Sequence, residues 1–134
     1  MKNFLITAAF LTCATPVLAF EYVCDVRDIG NGFIAPTLAL QFEENAKTGM
    51  VYDGVIHHVH GQPIEAKLKD RGKGKYRFSY RINDIPATPR PADISYQVNL
   101  DIQKNTVSVR GYITGVTNSI VGKGTCQVGR IAKN

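Results

Sequence analysis

Beyond residue 20, no stretch of this chain repeats its apolar residues at the 3.6-residue spacing of an amphipathic helix, which argues against a helical domain. Cysteine is scarce: Cys13, Cys24 and Cys126, with no C-x-x-C spacing to suggest a thiolate metal site or a redox dithiol. There is no G-x-S-x-G elbow to present a nucleophilic serine. The glycine-bearing "VGKGTC" lacks the third glycine of a dinucleotide fingerprint and no helical pattern follows it. The carboxylates are scattered, and no pair is placed for acid–base work. No catalytic residue is assigned on these grounds, and the chain is expected not to be an enzyme. Internal repeats, low-complexity tracts and linkers are also missing, so one domain is expected.

The first twenty residues, "MKNFLITAAFLTCATPVLAF", carry an early Lys2, an apolar middle at residues 4–11, and small residues near Val17-Leu18-Ala19. That is the layout of a secretory signal peptide. The apolar run falls short of the roughly 20 residues that cross about 30 Å of hydrocarbon, so a membrane span is not the reading. Residues 1–19 are therefore expected to be a leader and residues 20–134 a single mature domain, periplasmic or secreted. Loss of the leader removes Lys2 from the 16 basic residues and leaves 15 against 11 acidic ones, a mildly basic +4. A charge of that size favours anionic partners slightly. Cys13 leaves with the leader, and Cys24 and Cys126 remain as an even pair in an oxidising compartment, where a disulfide is the default. Closing a loop of about 100 residues is worth roughly 4.7 kcal/mol in the chain-entropy picture.

What the mature chain does have is period-two alternation. Leu38, Leu40 and Phe42 alternate with polar or small residues; so do Ile64, Ala66 and Leu68; Tyr76, Phe78, Tyr80 and Ile82; Ile94, Tyr96, Val98, Leu100 and Ile102; and Val107 and Val109. This is the pattern of antiparallel strands buried on one face. Turn residues separate the runs at 30–32, 45–49, 71–74 and 103–106, and the proline-bearing "NDIPATPRPAD" reads as a loop or edge crossing. About eight strands are expected, near 21–28, 34–42, 50–57, 63–69, 75–82, 93–102, 106–113 and 120–128. Regular short strands suggest an all-β sandwich or small barrel. A Cys24–Cys126 bridge would bring the first and last strands together, which favours a closed or nearly closed barrel without free edges. In the last strand, Gly122 and Gly124 would permit close backbone approach beside the disulfide.

Two clusters are candidate sites. All three histidines lie within "GVIHHVHGQP": His57, His58 and His60. On a strand, His58 and His60 share a face and could ligate zinc or copper, although the sequence forces no third or fourth ligand. No cofactor is otherwise expected. The second cluster is a basic hairpin. Between residues 67 and 81 stand Lys67, Lys69, Arg71, Lys73, Lys75, Arg77 and Arg81, against Asp70 alone. With Tyr76, Phe78 and Tyr80 turned inward, Lys67, Lys69, Lys75, Arg77 and Arg81 face outward together as a candidate anion-binding surface. Because the aromatics are inward, nucleic acid is not the expected partner.

The motifs "EYVCDV", "DGVIHHVHGQPIEAKL" and "GKGTCQV" resemble small secreted and periplasmic β-domain proteins of Gram-negative bacteria along the whole chain. The outline is also similar to that of periplasmic lysozyme inhibitors, which are small disulfide-bonded β-barrels, although their inhibitory loop has no counterpart in this sequence. The resemblance implies a β-domain and export, and no particular activity. The expected function is that of an exported, monomeric binding protein that contacts an anionic envelope component or a protein partner. A metal-binding protein using the histidines and a lipocalin-like carrier of a small apolar ligand stand as alternatives.

Overall fold

The computed structural model describes residues 19–28 and 32–129. Of the expected leader, residues 1–18 lie outside the described residues, and Ala19 opens the first strand. Eight strands follow in order: β1 (Ala19–Asp28), β2 (Thr37–Glu43), β3 (Thr48–Asp53), β4 (Ile64–Asp70), β5 (Lys75–Ile85), β6 (Ala92–Asp101), β7 (Thr106–Ile113) and β8 (Ser119–Val128). Each pairs antiparallel with its sequence neighbour, and β8 pairs with β1. The sheet is therefore a closed barrel in the order β1 to β8, which decides between the sandwich and barrel expected from the strand pattern.

Alternation sets the inner face. Leu38, Leu40 and Phe42 on β2, Phe78, Tyr80 and Ile82 on β5, and Ile94, Tyr96, Val98 and Leu100 on β6 are all buried. The rings of Phe42 and Phe78 lie 5.5 Å apart, and those of Phe42 and Tyr76 4.7 Å. Because β2 and β5 are not neighbours in the sheet, these contacts cross the barrel, and at this level the interior is filled by the chain's own side chains.

Closure is made covalent at one point. Cys24 and Cys126 face each other in the β1–β8 register and form the expected disulfide, with a sequence separation of 102. Beside them the seam is narrow. A Cβ placed on Gly124 would stand 1.7 Å from the backbone oxygen of Asp25, and one on Gly122 would stand 2.8 Å from a Val26 methyl. The glycines of "VGKGTC" thus serve the close strand approach expected of them.

Two stretches depart from expectation. The third strand does not run to residue 57. It ends at Asp53, and residues Gly54–His60 form a short helix, α1. Asp53 is extended and its carboxylate accepts a hydrogen bond from the Ile56 N–H at 2.8 Å, while Gly61 adopts φ 71° and donates to the His57 carbonyl. An Asp N-cap and a left-handed glycine therefore bracket the helix. Seven residues are too few for periodicity to announce it. Its apolar residues Val55, Ile56 and Val59 nevertheless sit at helical spacing, and Ile56 is fully buried as α1 covers one end of the barrel. The second departure is β5, which continues to Ile85 through a bulge after Ile82, so the expected loop at 83–93 shrinks to residues 86–91.

Gly124→Ala is expected to destabilise the protein by about 3 kcal/mol, the upper range for overpacking, because its new methyl meets backbone that cannot rotate away. Lys123→Ala, on the exposed outer face next door, should change stability by less than about 0.5 kcal/mol. Urea unfolding of both variants checks this. Equal effects would mean that the seam is looser than the geometry indicates.

Candidate functional site: histidine helix and basic belt

The helix rearranges the histidine cluster. Successive residues on a helix are turned by about 100°, so His58 and His60 stand about 200° apart rather than on one face. The strand geometry that would have made them a paired metal site is absent. His57 and His60, three apart, now share a face. The Nδ1 of His57 is hydrogen-bonded to the Tyr52 hydroxyl, and the two rings meet edge to face at 5.8 Å. Among the described residues, no group of three or more His, Cys, Asp or Glu side chains converges as a metal site would require.

Asp53, the N-cap of α1, is half-buried against a core that includes the buried rings of Tyr80 and Tyr96. Burial pushes the Asp53 carboxyl above its ordinary value, opposed by the backbone N–H groups of Ile56 and Val55. The Tyr80 and Tyr96 rings stack at 5.2 Å, and burial together with the charge of Asp53 holds both hydroxyls well above their ordinary range. The Tyr96 hydroxyl donates to the Phe33 carbonyl at 2.7 Å. These groups act as core residues with one cap among them.

The barrel's outer face carries the second cluster, and the register enlarges it. Lys69 on β4 faces Arg77 on β5, which faces Asn99 on β6, Ser108 on β7, Lys123 on β8 and finally Arg27 on β1. The next row towards the helix end is Lys67, Ser79, Gln97, Arg110 and Val121. Directly opposed residues have Cβ atoms about 5 Å apart, so each row is a contiguous line of side chains. The two rows hold six cations, four neutral polar residues and no carboxylate. Arg77 is held in place by its Nε–H, which donates to the Asn99 side-chain oxygen at 2.9 Å. Shallow depressions of about 460 and 330 Å³ flank the first row and share Arg77, Asn99, Ser108 and Lys123 as walls.

Of the five cations expected to act together, Lys67, Lys69 and Arg77 are in this belt. Lys75 is exposed but stands opposite Asp101, in a row that continues through Thr106 and Thr125 to Asp25. Arg81 is occupied. It donates to Asn83, Ser95 and Thr114 side chains at 2.8–3.0 Å and lies 3.8 Å from Asp93. That network ties β5, β6 and the segment after β7 together. The belt gains Arg27, Arg110 and Lys123, which lie far from the hairpin in sequence. Inward Val107 and Val109 already turn Arg110 outward; what the sequence does not show is that the register sets it in line with Lys67 through Ser79 and Gln97. The other side of the barrel differs in charge: Glu21, Glu43 and Glu44 lie on β1, at the end of β2 and just after it, and Gln41 donates to Glu21 at 3.1 Å.

No protein-family model, curated protein or solved structure matches this chain. The belt therefore stands on its own geometry.

Asp53→Ala should cost about 1 kcal/mol through loss of the cap, and Asp53→Asn much less, since asparagine caps equally well. The buried carboxyl binds its proton more tightly in the folded chain than in the unfolded one. Its contribution to stability is present below the unfolded pKa and is lost as pH rises through the raised folded one. Wild type should therefore lose stability relative to Asp53→Asn between about pH 3 and about pH 7. Urea titrations at both ends measure this, and a gain over that interval would contradict it.

Proposed function

We propose that this protein is an exported, non-catalytic binding protein that engages an anionic partner through the outer face of β4–β8 and the adjoining end of β1. The observation that carries this reading is the pair of register rows with six cations and no carboxylate. Uncompensated like charges repel and cost stability where they stand directly opposite each other, as Lys69 and Arg77 do. Such an arrangement on one side of a barrel whose other side bears Glu21, Glu43 and Glu44 is the charge asymmetry that steers and holds an anion. The Cys24–Cys126 disulfide supports an oxidising compartment, and no helix among the described residues is long and apolar enough to cross a membrane.

Location of charge, rather than its amount, is what the reading requires. On a phosphocellulose column, Arg77→Glu with Lys123→Glu should elute at clearly lower salt than wild type. Arg90→Glu with Lys104→Glu changes the net charge equally in exposed loops outside the rows, and should elute close to wild type. Binding in every case should fade as the Debye length shrinks from about 10 Å at 0.1 M salt to about 3 Å at 1 M. Identical elution of the two double variants would reduce the effect to net charge and remove the belt as a site.

A further inference from the structure

Resting on that reading, we infer that the belt binds a linear acidic polysaccharide laid across the strands, with Tyr112 as the platform for one sugar ring. The rows run round the barrel rather than along it. They cross β4 to β8, and the first reaches Arg27 on β1, so they occupy more than half of an eight-stranded circumference. A flat anionic bilayer would touch two or three of these strands at a time and leave the remaining cations unengaged. A flexible chain can follow the curve and meet all of them.

The width of the belt limits the ligand further. Carboxylates bound it on both sides: Asp101 and Asp25 lie in the row beyond Lys69 and Arg77, and Glu65 precedes Lys67 on β4 by one outward position. Two rows about 7 Å apart leave room for one chain. The neutral members select its chemistry. Ser79, Gln97 and Ser108 offer acceptors as well as donors between the cations. Phosphate and carboxylate oxygens satisfy the donors only, whereas sugar hydroxyls satisfy both. Arg77 spends its Nε–H on the Asn99 oxygen, which aims the guanidinium and leaves the Asn99 amide N–H groups to donate.

Tyr112 supplies an apolar surface. It is 44% exposed, among the largest exposed hydrophobic side chains described, and sits on β7 two residues from Arg110. It rims both the 330 Å³ depression with Arg77, Gln97 and Arg110 and a 510 Å³ one with Lys67, Ser79 and Gln97. A tyrosine ring exposed to this extent can offer apolar surface to the C–H face of a pyranose and a hydroxyl for hydrogen bonding. A lone exposed ring does not make the succession of stacking platforms that single-stranded nucleic acid uses.

Calorimetry at low salt with three probes tests this: alginate as a linear polyuronate, inorganic polyphosphate as charge without hydroxyls, and vesicles of phosphatidylglycerol with phosphatidylcholine. Wild type should bind alginate more tightly than either other probe. Tyr112→Ala should weaken alginate five- to tenfold and leave polyphosphate unchanged, and Tyr112→Phe should keep most of the alginate affinity. Because Tyr112 is exposed on the outer face, both variants should give the wild-type circular dichroism spectrum. Vesicles or polyphosphate bound as tightly as alginate, or Tyr112→Ala affecting alginate and polyphosphate alike, would overturn the polysaccharide assignment and leave the anion-binding reading standing. Failure of all three probes to bind would overturn both.

Discussion

The pairing of β1 with β8 is the constraint on which the rest of this structure depends. Seven of the eight strand pairings join sequence neighbours across short connections, one of which carries α1. The eighth brings together the two ends of the described chain, and the loop-closure entropy of about a hundred residues opposes it. Three features of the sequence favour that contact. Cys24 and Cys126 make it covalent. Gly124 and Gly122 let the backbones approach where a side chain would collide. The inward row from Tyr22 to Val26 supplies apolar surface to cover. Without the seam, β1 and β8 would each expose an edge of unpaired backbone groups, and the interior contacts between Phe42, Tyr76 and Phe78 would open to water.

The seam also decides what the outer surface is. Side chains alternate along a strand, so Lys67, Lys69, Lys75, Arg77 and Arg81 are turned outward by Tyr76, Phe78 and Tyr80 turning inward. Which other charges join it depends on the register of the strands that follow and, for Arg27, on the pairing of β1 with β8. Arg27 comes beside Lys123 only because β1 closes on β8, and the line from Lys69 to Arg27 is continuous only in a closed sheet. One observation thus accounts for both the filled core and the belt. The Arg81 network works within the same frame. Its hydrogen bonds to Ser95 and Thr114 join β5, β6 and the segment after β7, so a cation that resembles its neighbours in sequence is structural in the fold.

Much of this was legible beforehand, for identifiable reasons. The strands follow from period-two alternation bounded by turn residues, and the disulfide from the cysteine pair that remains once the expected leader is set aside. Barrel closure follows from where those cysteines fall. The helix α1 was not legible from periodicity because it has two turns and a single fully buried residue. Asp53 and Gly61 at its ends are the signal that local capping chemistry offers, and reading "DGVIHHVHG" for caps rather than alternation would have found it. The histidine pair went with that misreading, since its shared face existed only on a strand. The belt was half legible. Lys67, Lys69 and Arg77 are local to one hairpin, whereas Arg110 and Lys123 join through the register of the strands that follow and Arg27 through the non-local pairing of β1 with β8, which no short pattern encodes. The losses of Lys75 to a row with Asp101 and of Arg81 to its hydroxyl partners are likewise tertiary facts.

The central claim is that the register of the closed sheet assembles one anion-binding belt from residues on six strands, with closure adding Arg27. Nuclear magnetic resonance of isotopically labelled protein titrated with alginate tests it most directly. The account predicts shifts in the amides and side chains of Lys67, Lys69, Arg77, Asn99, Arg110, Lys123 and Arg27 together, with the outer faces of β2 and β3 and the helix α1 unchanged. Shifts centred on His57, His58 and His60, or confined to the β4–β5 hairpin with Arg27, Arg110 and Lys123 silent, would contradict it.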